Sequence, residues 1–250
     1  MYVTAIVLAA GKGLRLKSKV PKPLIEINSK PLIIYSLNTL SGCADIKDII
    51  VVTNNNNSGS IKSKIGKYGI RKVKSIILGG LRRQDSVYNA LKAIDERADL
   101  VLVHDAARPF ITKEIISSAI KAAKRYRVAI VGVPVKATIK KATKTQGHQD
   151  TRLPTVKKTL NRDNLWEIQT PQVFKKAIIL RAYEEYKKIS VSDDAGLVEQ
   201  LGVKAKIVMG SYFNIKITTP EDLVLAEAIS KAKSEKRKAP AYRQAGKVKV

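Results

Sequence analysis

The chain has 250 residues and a mass of 27.5 kDa, enough for one large domain or two small ones with a sizeable core. Its 47 Lys and Arg against 21 Asp and Glu give a net charge of +26, which favours encounter with anions without choosing among them. One cysteine, Cys43, excludes an internal disulfide and a cysteine metal cluster, and no apolar run has membrane length. We therefore expect a soluble, cytoplasmic protein with no membrane partner.

In chain order, VTAIVLA (3–9), IKDIIVVT (46–53), VKSIIL (73–78), LVLVHD (100–105) and RVAIVGVPV (127–135) predict strands. Their nearly continuous apolar character belongs to strands covered on both faces, as in a parallel sheet between helices. Helix patterns begin at Pro31, span 84–96 and follow Thr112, where Ile116, Ala119, Ile120 and Ala123 share a face. This alternation predicts an α/β, Rossmann-like, doubly wound and mostly parallel sheet, with ligands at the carboxyl ends of its strands.

Residues 136–170 break the rhythm with a Thr- and Lys-rich stretch and a turn signal, QGHQD, at 146–150. They predict two strands of an arm protruding from a body of residues 1–230. An isolated hairpin is marginal in water, so the arm is expected to pack on a second copy and form a homodimer. Helix patterns return over 175–187 and from Ser192, followed by a strand in KAKIVMG. The last helix has Thr219 as N-cap, Pro220 at its first position, and Glu221 and Asp222 in its first turn. Residues 231–250, eight basic residues against one acid, are expected to be a disordered tail.

The segment LAAGKGLRLKSKVPKPL, residues 8–24, follows the first strand with two glycines, five basic residues, two prolines and no acid. It lacks the G-x-x-x-x-G-K-[ST] spacing of a P-loop. It fails as a dinucleotide fingerprint too, because Leu16 stands where the third glycine belongs. Glycines let the backbone approach a triphosphate, and Arg15 and Lys22 add fixed charge. The pattern A-A-G-x-G-x-R…P-K-x-L resembles the signature of nucleotidyltransferases.

Five later segments, GGLRRQDSV (79–87), HDAARPF (104–110), TLNRDNLWEIQTPQVF (159–174), SDDAG (192–196) and NIKITTPEDLVLAE (214–227), occur in order. Together with the loop they resemble the 2-C-methyl-D-erythritol 4-phosphate cytidylyltransferase family of non-mevalonate isoprenoid biosynthesis. The resemblance implies a reaction of CTP with the methylerythritol phosphate that releases pyrophosphate. It also implies roles for particular residues. Gly11, Gly13, Arg15 and Lys22 would hold the triphosphate, while Gly80, Ser86 and the backbone of Ala9 and Ala10 would line the cytosine pocket. Asp105 and Lys216 would complete the catalytic set, while Arg83 would buttress the loop that carries Gly80 and Ser86. Thr138 and Arg162, on the arm of a partner subunit, would grip the acceptor, together with Thr170 and Ser192, and Arg108 would either touch substrate or brace the Asp105 loop. A lysine where related enzymes place a second carboxylate implies that Mg²⁺ is held by CTP phosphates, without a dedicated side-chain cage.

The chain departs from the family pattern at Pro23, Leu81 and Ala137, where the family usually has Gln and two acids. The nearest alternative is ribitol-5-phosphate cytidylyltransferase, with the same chemistry and a different acceptor. A nucleic-acid-binding protein is the alternative of another class. No groove-reading or base-stacking motif accompanies the charge, so nucleic acid is expected to bind at most non-specifically.

Overall fold

The computed structural model describes residues 1–11, 13–143 and 154–238, with side chains described as far as residue 235. Strand β1 (Val3–Leu8) leads into the opening loop, which contains 3₁₀ turns at Leu14–Leu16 and Lys22–Leu24. A small hairpin, β2 (Glu26–Ile27) and β3 (Lys30–Pro31), precedes α1 (Leu32–Ser41). Then follow β4 (Ile46–Thr53), α2 (Asn55–Lys67), β5 (Val73–Leu78), α3 (Arg83–Leu91), β6 (Leu100–Asp105), α4 (Lys113–Tyr126) and β7 (Val128–Pro134). The arm carries β8 (Lys140–Ala142) and β9 (Val156–Thr159). The chain continues through β10 (Trp166–Lys175), α5 (Lys176–Tyr186), α6 (Asp194–Gln200), β11 (Lys206–Met209) and α7 (Pro220–Lys238).

Seven strands form the central sheet in the order β11-β7-β10-β6-β1-β4-β5. Every pairing is parallel except those of β10, which runs antiparallel to both β6 and β7. Alternate residues of β1 face opposite ways. Val3, Ala5 and Val7 join Ile33, Leu37, Ile116 and Ile120 in one buried layer, and Ile6 joins Val87, Leu91, Ile179 and Tyr183 in the other. The two layers make the predicted α/β doubly wound architecture.

Two of the larger elements were not foreseen in the sequence, and α3 ends at Leu91 where the pattern predicted a helix to 96. Helix α2 forms in a stretch, NNNSGSIKSKIGK, with little apolar periodicity. It starts because the Asn54 side chain accepts the Asn57 amide at 3.0 Å, and it is held by fully buried Ile61. Strand β10 is the other. The stretch 136–170 divides, with β8 and β9 pairing only with each other, whereas Trp166 to Thr170 open a central strand. The arm's turn, 146–150, lies outside the described residues. Helix α7 continues past Ser230 to Lys238, with Lys233 Nζ donating to the Phe110 carbonyl at 3.1 Å. The rest of the expected tail, 239–250, lies outside the described residues.

A third apolar cluster places the functional loops. Leu16, Ile27, Leu32, Phe110, Ile217 and Ala226 bury together at the carboxyl edge of the sheet. Leu16 follows Arg15 and Ile217 follows Lys216, so each cation is tethered by an apolar neighbour. Burying a side chain of this size contributes roughly 1.5–3 kcal/mol, which offsets the cost of fixing a charged loop.

Candidate active site

The opening loop folds back on itself at Gly13. Its φ of 65° is in the left-handed region, and a Cβ there would lie 2.9 Å from Lys22 Cβ. Glycine is thus required twice over, for conformation and for the approach of Lys22. Gly11 has open space where a Cβ would stand, and Arg15 is exposed. Pro23 is buried beneath the loop and fixes the backbone beside Lys22.

The loop after β5 packs against the opening loop through its glycines. A Cβ on Gly79 would meet Ser86 Oγ at 2.5 Å and Ala10 Cβ at 2.7 Å. On Gly80 it would collide with Asp85. The Ser86 hydroxyl accepts the Gly80 amide and donates to the Arg82 carbonyl, both at 3.2 Å, so it is engaged in shaping this turn. Ala9 extends the β1 register by donating to the Val52 carbonyl at 2.7 Å. Ala9, Ala10, Gly80 and Ser86 therefore meet at one corner of the edge. Leu81 is fully exposed there.

Asp105 ends β6 between two cations. Its Oδ2 lies 2.6 Å from Lys216 Nζ, and its Oδ1 accepts Arg83 Nε at 3.3 Å. Burial pushes this carboxyl up, but Arg83 and Lys216 outweigh it and hold it well below the usual carboxylate range. Lys22 faces the same group. Burial first, and then the neighbouring charge of Lys216, push its ammonium down to about 8. Lys22 also feels the charges of Asp105 and Arg15, which sets all four residues at the same end of the sheet.

Beneath Asp105 lies a set of uncharged contacts. His104 Nε2 donates to the Arg108 carbonyl at 3.1 Å, which leaves Nδ1 to accept the Thr170 hydroxyl at 3.0 Å. The Thr170 oxygen in turn accepts the Asp105 amide at 3.1 Å. Burial lowers the His104 pKa to about 4, so the ring is neutral and structural. Arg108 is buried and donates to the carbonyls of Asn214 at 2.7 Å and Ile168 at 3.4 Å, bracing the loop that follows Asp105. Ser192 is exposed just ahead of α6, whose Asp194 pairs with Arg83 at 2.9 Å.

Thr138 and Arg162 are not brought to this cluster within one chain. Both are exposed on the arm, and the Arg162 guanidinium donates to the Lys136 carbonyl. The arm's neck is fixed where Lys136 Nζ sits 3.5 Å from the Tyr212 ring centroid and Tyr212 donates to the Pro134 carbonyl at 2.7 Å. Asp194 and Tyr183 were missed by sequence reasoning, although SDDAG carries a usable signal. Asp193 caps α6 by accepting the Gly196 amide at 3.1 Å, which leaves Asp194 free to turn inward.

Among the described residues no group of three His, Cys, Asp or Glu is placed to hold a metal ion. The carboxylates acting on Lys22 are Asp105 and Asp222, the latter accepting from Thr218 and Thr219. A hard cation here would thus find few donors and would be bound chiefly by phosphate oxygens. A cationic site at the carboxyl edge of a doubly wound sheet, reached by a glycine-rich loop that is neither P-loop nor dinucleotide fold, fits a nucleotidyltransferase, the class whose loop signature the sequence resembles. The model of one family, IspD, 2-C-methyl-D-erythritol 4-phosphate cytidylyltransferase, matches residues 3–232, and the chain belongs to that family. It is 42% identical over 240 residues to the 2-C-methyl-D-erythritol 4-phosphate cytidylyltransferase of Alkaliphilus oremlandii (strain OhILAs), covering 94% of this chain and 97% of that protein. Its counterpart of the same name in Shouchella clausii (strain KSM-K16) is 43% identical over 233 residues, covering 92% and 97%. Among solved structures, 4-diphosphocytidyl-2C-methyl-D-erythritol synthase from Anaerococcus prevotii DSM 20548 superposes with a TM-score of 0.77 at 34% identity, covering 92% of this chain and 96% of that one. The Francisella tularensis 2-C-methyl-D-erythritol 4-phosphate cytidylyltransferase gives 0.73 at 31% identity, covering 92% and 100%.

Proposed function

We infer that this chain transfers the cytidylyl group of CTP to 2-C-methyl-D-erythritol 4-phosphate, forming 4-diphosphocytidyl-2-C-methyl-D-erythritol and pyrophosphate. The observation that carries this reading is the meeting of one ion-paired acid, Asp105, with Lys22, Lys216 and Arg15 at the ligand edge of a member of this family. An acceptor phosphate oxygen attacks the α-phosphorus of CTP. The new P–O bond forms as the bond to pyrophosphate breaks, and the leaving group carries away the electron pair. A phosphate monoester is anionic near neutral pH, so no general base is needed. The work left to the protein is to bring two repelling anions together and stabilise the charge of the transition state.

We assign the residue roles that the family resemblance implies, which this placement supports. The backbone at Gly11 and Gly13 receives the triphosphate, with Arg15, Lys22 and Lys216 set against its charge. Ala9, Ala10, Gly80 and Ser86 line the cytosine pocket. Arg108 and Thr170 hold the floor under Asp105, and Ser192 borders the acceptor. Thr138 and Arg162 reach the acceptor of a partner subunit, which makes the enzyme a homodimer. Mg²⁺ would supply charge neutralisation on the triphosphate when bound, and it would be held chiefly by phosphate oxygens, with Asp105 as the protein's carboxylate beside it. A single buried cysteine suits the reducing cytoplasm, where we place the reaction.

The test is pyrophosphate release from each of the four NTPs with the methylerythritol acceptor or with ribitol 5-phosphate. CTP with the methylerythritol acceptor is expected to exceed the other pairings by on the order of a hundredfold or more, because a mismatched base or polyol leaves buried polar groups unpaired. A faster rate with ribitol 5-phosphate or with another NTP would overturn the assignment.

A further inference from the structure

Behind Asp105 runs a line of polar contacts for which the reaction as described has no use. Arg83 Nε donates to Asp105 at 3.3 Å, while its Nη2 donates to Asp194 Oδ2 at 2.9 Å. Asp194 has no exposed surface, and its Oδ1 accepts the Tyr183 hydroxyl at 2.5 Å. One guanidinium thus joins two carboxylates, and a tyrosine fixes the inner one. The tyrosine ring is itself held by stacking on Tyr88, with centroids 6.0 Å apart and planes 4° from parallel. The line crosses four elements, from β6 through α3 and α6 to α5.

The two cations on Asp105 differ in how they are held. The Lys216 side chain is 39% exposed and ends a flexible stem, so an arriving triphosphate can draw its ammonium away from Asp105. Arg83 is committed through its planar fork to two carboxylates at once. Were Asp105 held by Lys216 alone, its largely buried carboxylate would lose its protein cation, and with it its aim, as the phosphates arrive. We propose that Asp194 and Tyr183 are positioning residues that hold Arg83 on Asp105, so that Asp105 stays paired and aimed when Lys216 turns to the nucleotide. This rests on the nucleotidyl-transfer reading of the site.

The test uses Tyr183→Phe in the full chain, which removes the hydroxyl and keeps the stacked ring. One readout needs no substrate: the hydrogen exchange of the Arg83 Nε–H, followed by ¹⁵N NMR and assigned by its loss in Arg83→Lys. Exchange is expected to quicken at least about threefold in Tyr183→Phe, because the clamp on the guanidinium loosens. The other readout is steady-state pyrophosphate release. There kcat is expected to fall about tenfold with the CTP KM within about twofold of wild type, the pattern of an interaction that matters in the transition state. In an Arg83→Lys background the same change is expected to cost less than about twofold more, since its effect passes through Arg83. Asp194→Asn, of the same shape, is the second variant and is expected to move both readouts further in the same direction.

Unchanged Arg83 exchange in a folded Tyr183→Phe protein overturns the proposal, even if its melting temperature drops. So does a full kcat loss that persists in the Arg83→Lys background. If the wild-type chain releases no pyrophosphate from CTP and the methylerythritol acceptor, the functional reading has failed, and the exchange measurement alone then decides the proposal.

Discussion

The ligand edge of the sheet and the arm are built on opposite principles. At the edge, Asp105, Arg83, Thr170, His104 and Arg108 are tied to one another by hydrogen bonds or ion pairs. Apolar residues next to the exposed cations, Leu16 and Ile217, are buried. On the arm every residue of β8 and β9 is exposed, and Arg162 is turned to its own neck. The edge is organised within one chain, whereas the described strands of the arm are polar and bury no side chain. The proposed function joins the two by drawing the rigid half of the site from one subunit and the acceptor-gripping half from another.

The largest effects are expected where the edge supplies charge. Lys22→Ala and Lys216→Ala should each lower kcat by about a hundredfold or more, since one preorganised donor at developing charge is worth roughly 3 kcal/mol. Pyrophosphate release checks the rate, and thermal melting checks that the fold persists. Wild-type rates in both variants would remove the edge from the mechanism.

A smaller effect comes from pH. Lys22, lowered to about 8, is charged below that pH and loses its charge as pH rises through it. The kcat/KM for CTP, which reports the free enzyme, should therefore fall above about pH 8 by up to tenfold per unit. Lys22→Arg stays charged and should shift that limb upward. An unmoved alkaline limb would show that another group titrates.

Mixing subunits tests the division between edge and arm directly. Lys22→Ala disables the edge of its own body, and Arg162→Ala disables the site that its arm serves. In a mixed dimer with shared sites, one site collects both defects and the other collects neither. Equal mixing should restore roughly a quarter of wild-type sites. No recovery after demonstrated subunit exchange would place Arg162 in its own chain's site.

Sequence made the edge more legible than its supports. The parallel strands announce themselves as apolar runs, and the glycine-rich loop stands out because few uses explain so many cations with no acid. Strand β10 was hidden because its buried stretch carries Gln169, Thr170 and Gln172. Their polar groups are satisfied only by distant partners, including Ser211 at 2.9 Å and Asp193 at 2.6 Å. The same holds for Asp194 and Tyr183, eleven residues apart in sequence and joined only once α5 and α6 pack. Helix α2 depended on one cap and one fully buried isoleucine, too little for a periodicity to reveal. The end of α7 was set too early because its apolar pattern fades before its helix does.

The smallest effect should come from the end of the chain. Cutting after Ser230 would remove the last turns of α7 and the Lys233 contact to the Phe110 carbonyl at 3.1 Å, beside the apolar cluster that seats Leu16 and Ile217. The cut that leaves the site alone comes after Lys238. Residues 239–250 contain Arg243, Lys247 and Lys249 with no acid, and no segment of the family resemblance reaches them. Removing them should leave kcat and the CTP KM within about twofold, while non-specific adsorption to nucleic acid at low salt weakens. Each phosphate contact contributes about 0.9 to the slope of log K against log salt on duplex DNA, so that slope should flatten by at most about 3. A large loss of turnover in the folded, shortened protein would make the segment part of the site, and an unchanged salt slope would leave non-specific adsorption to the lysines of the body.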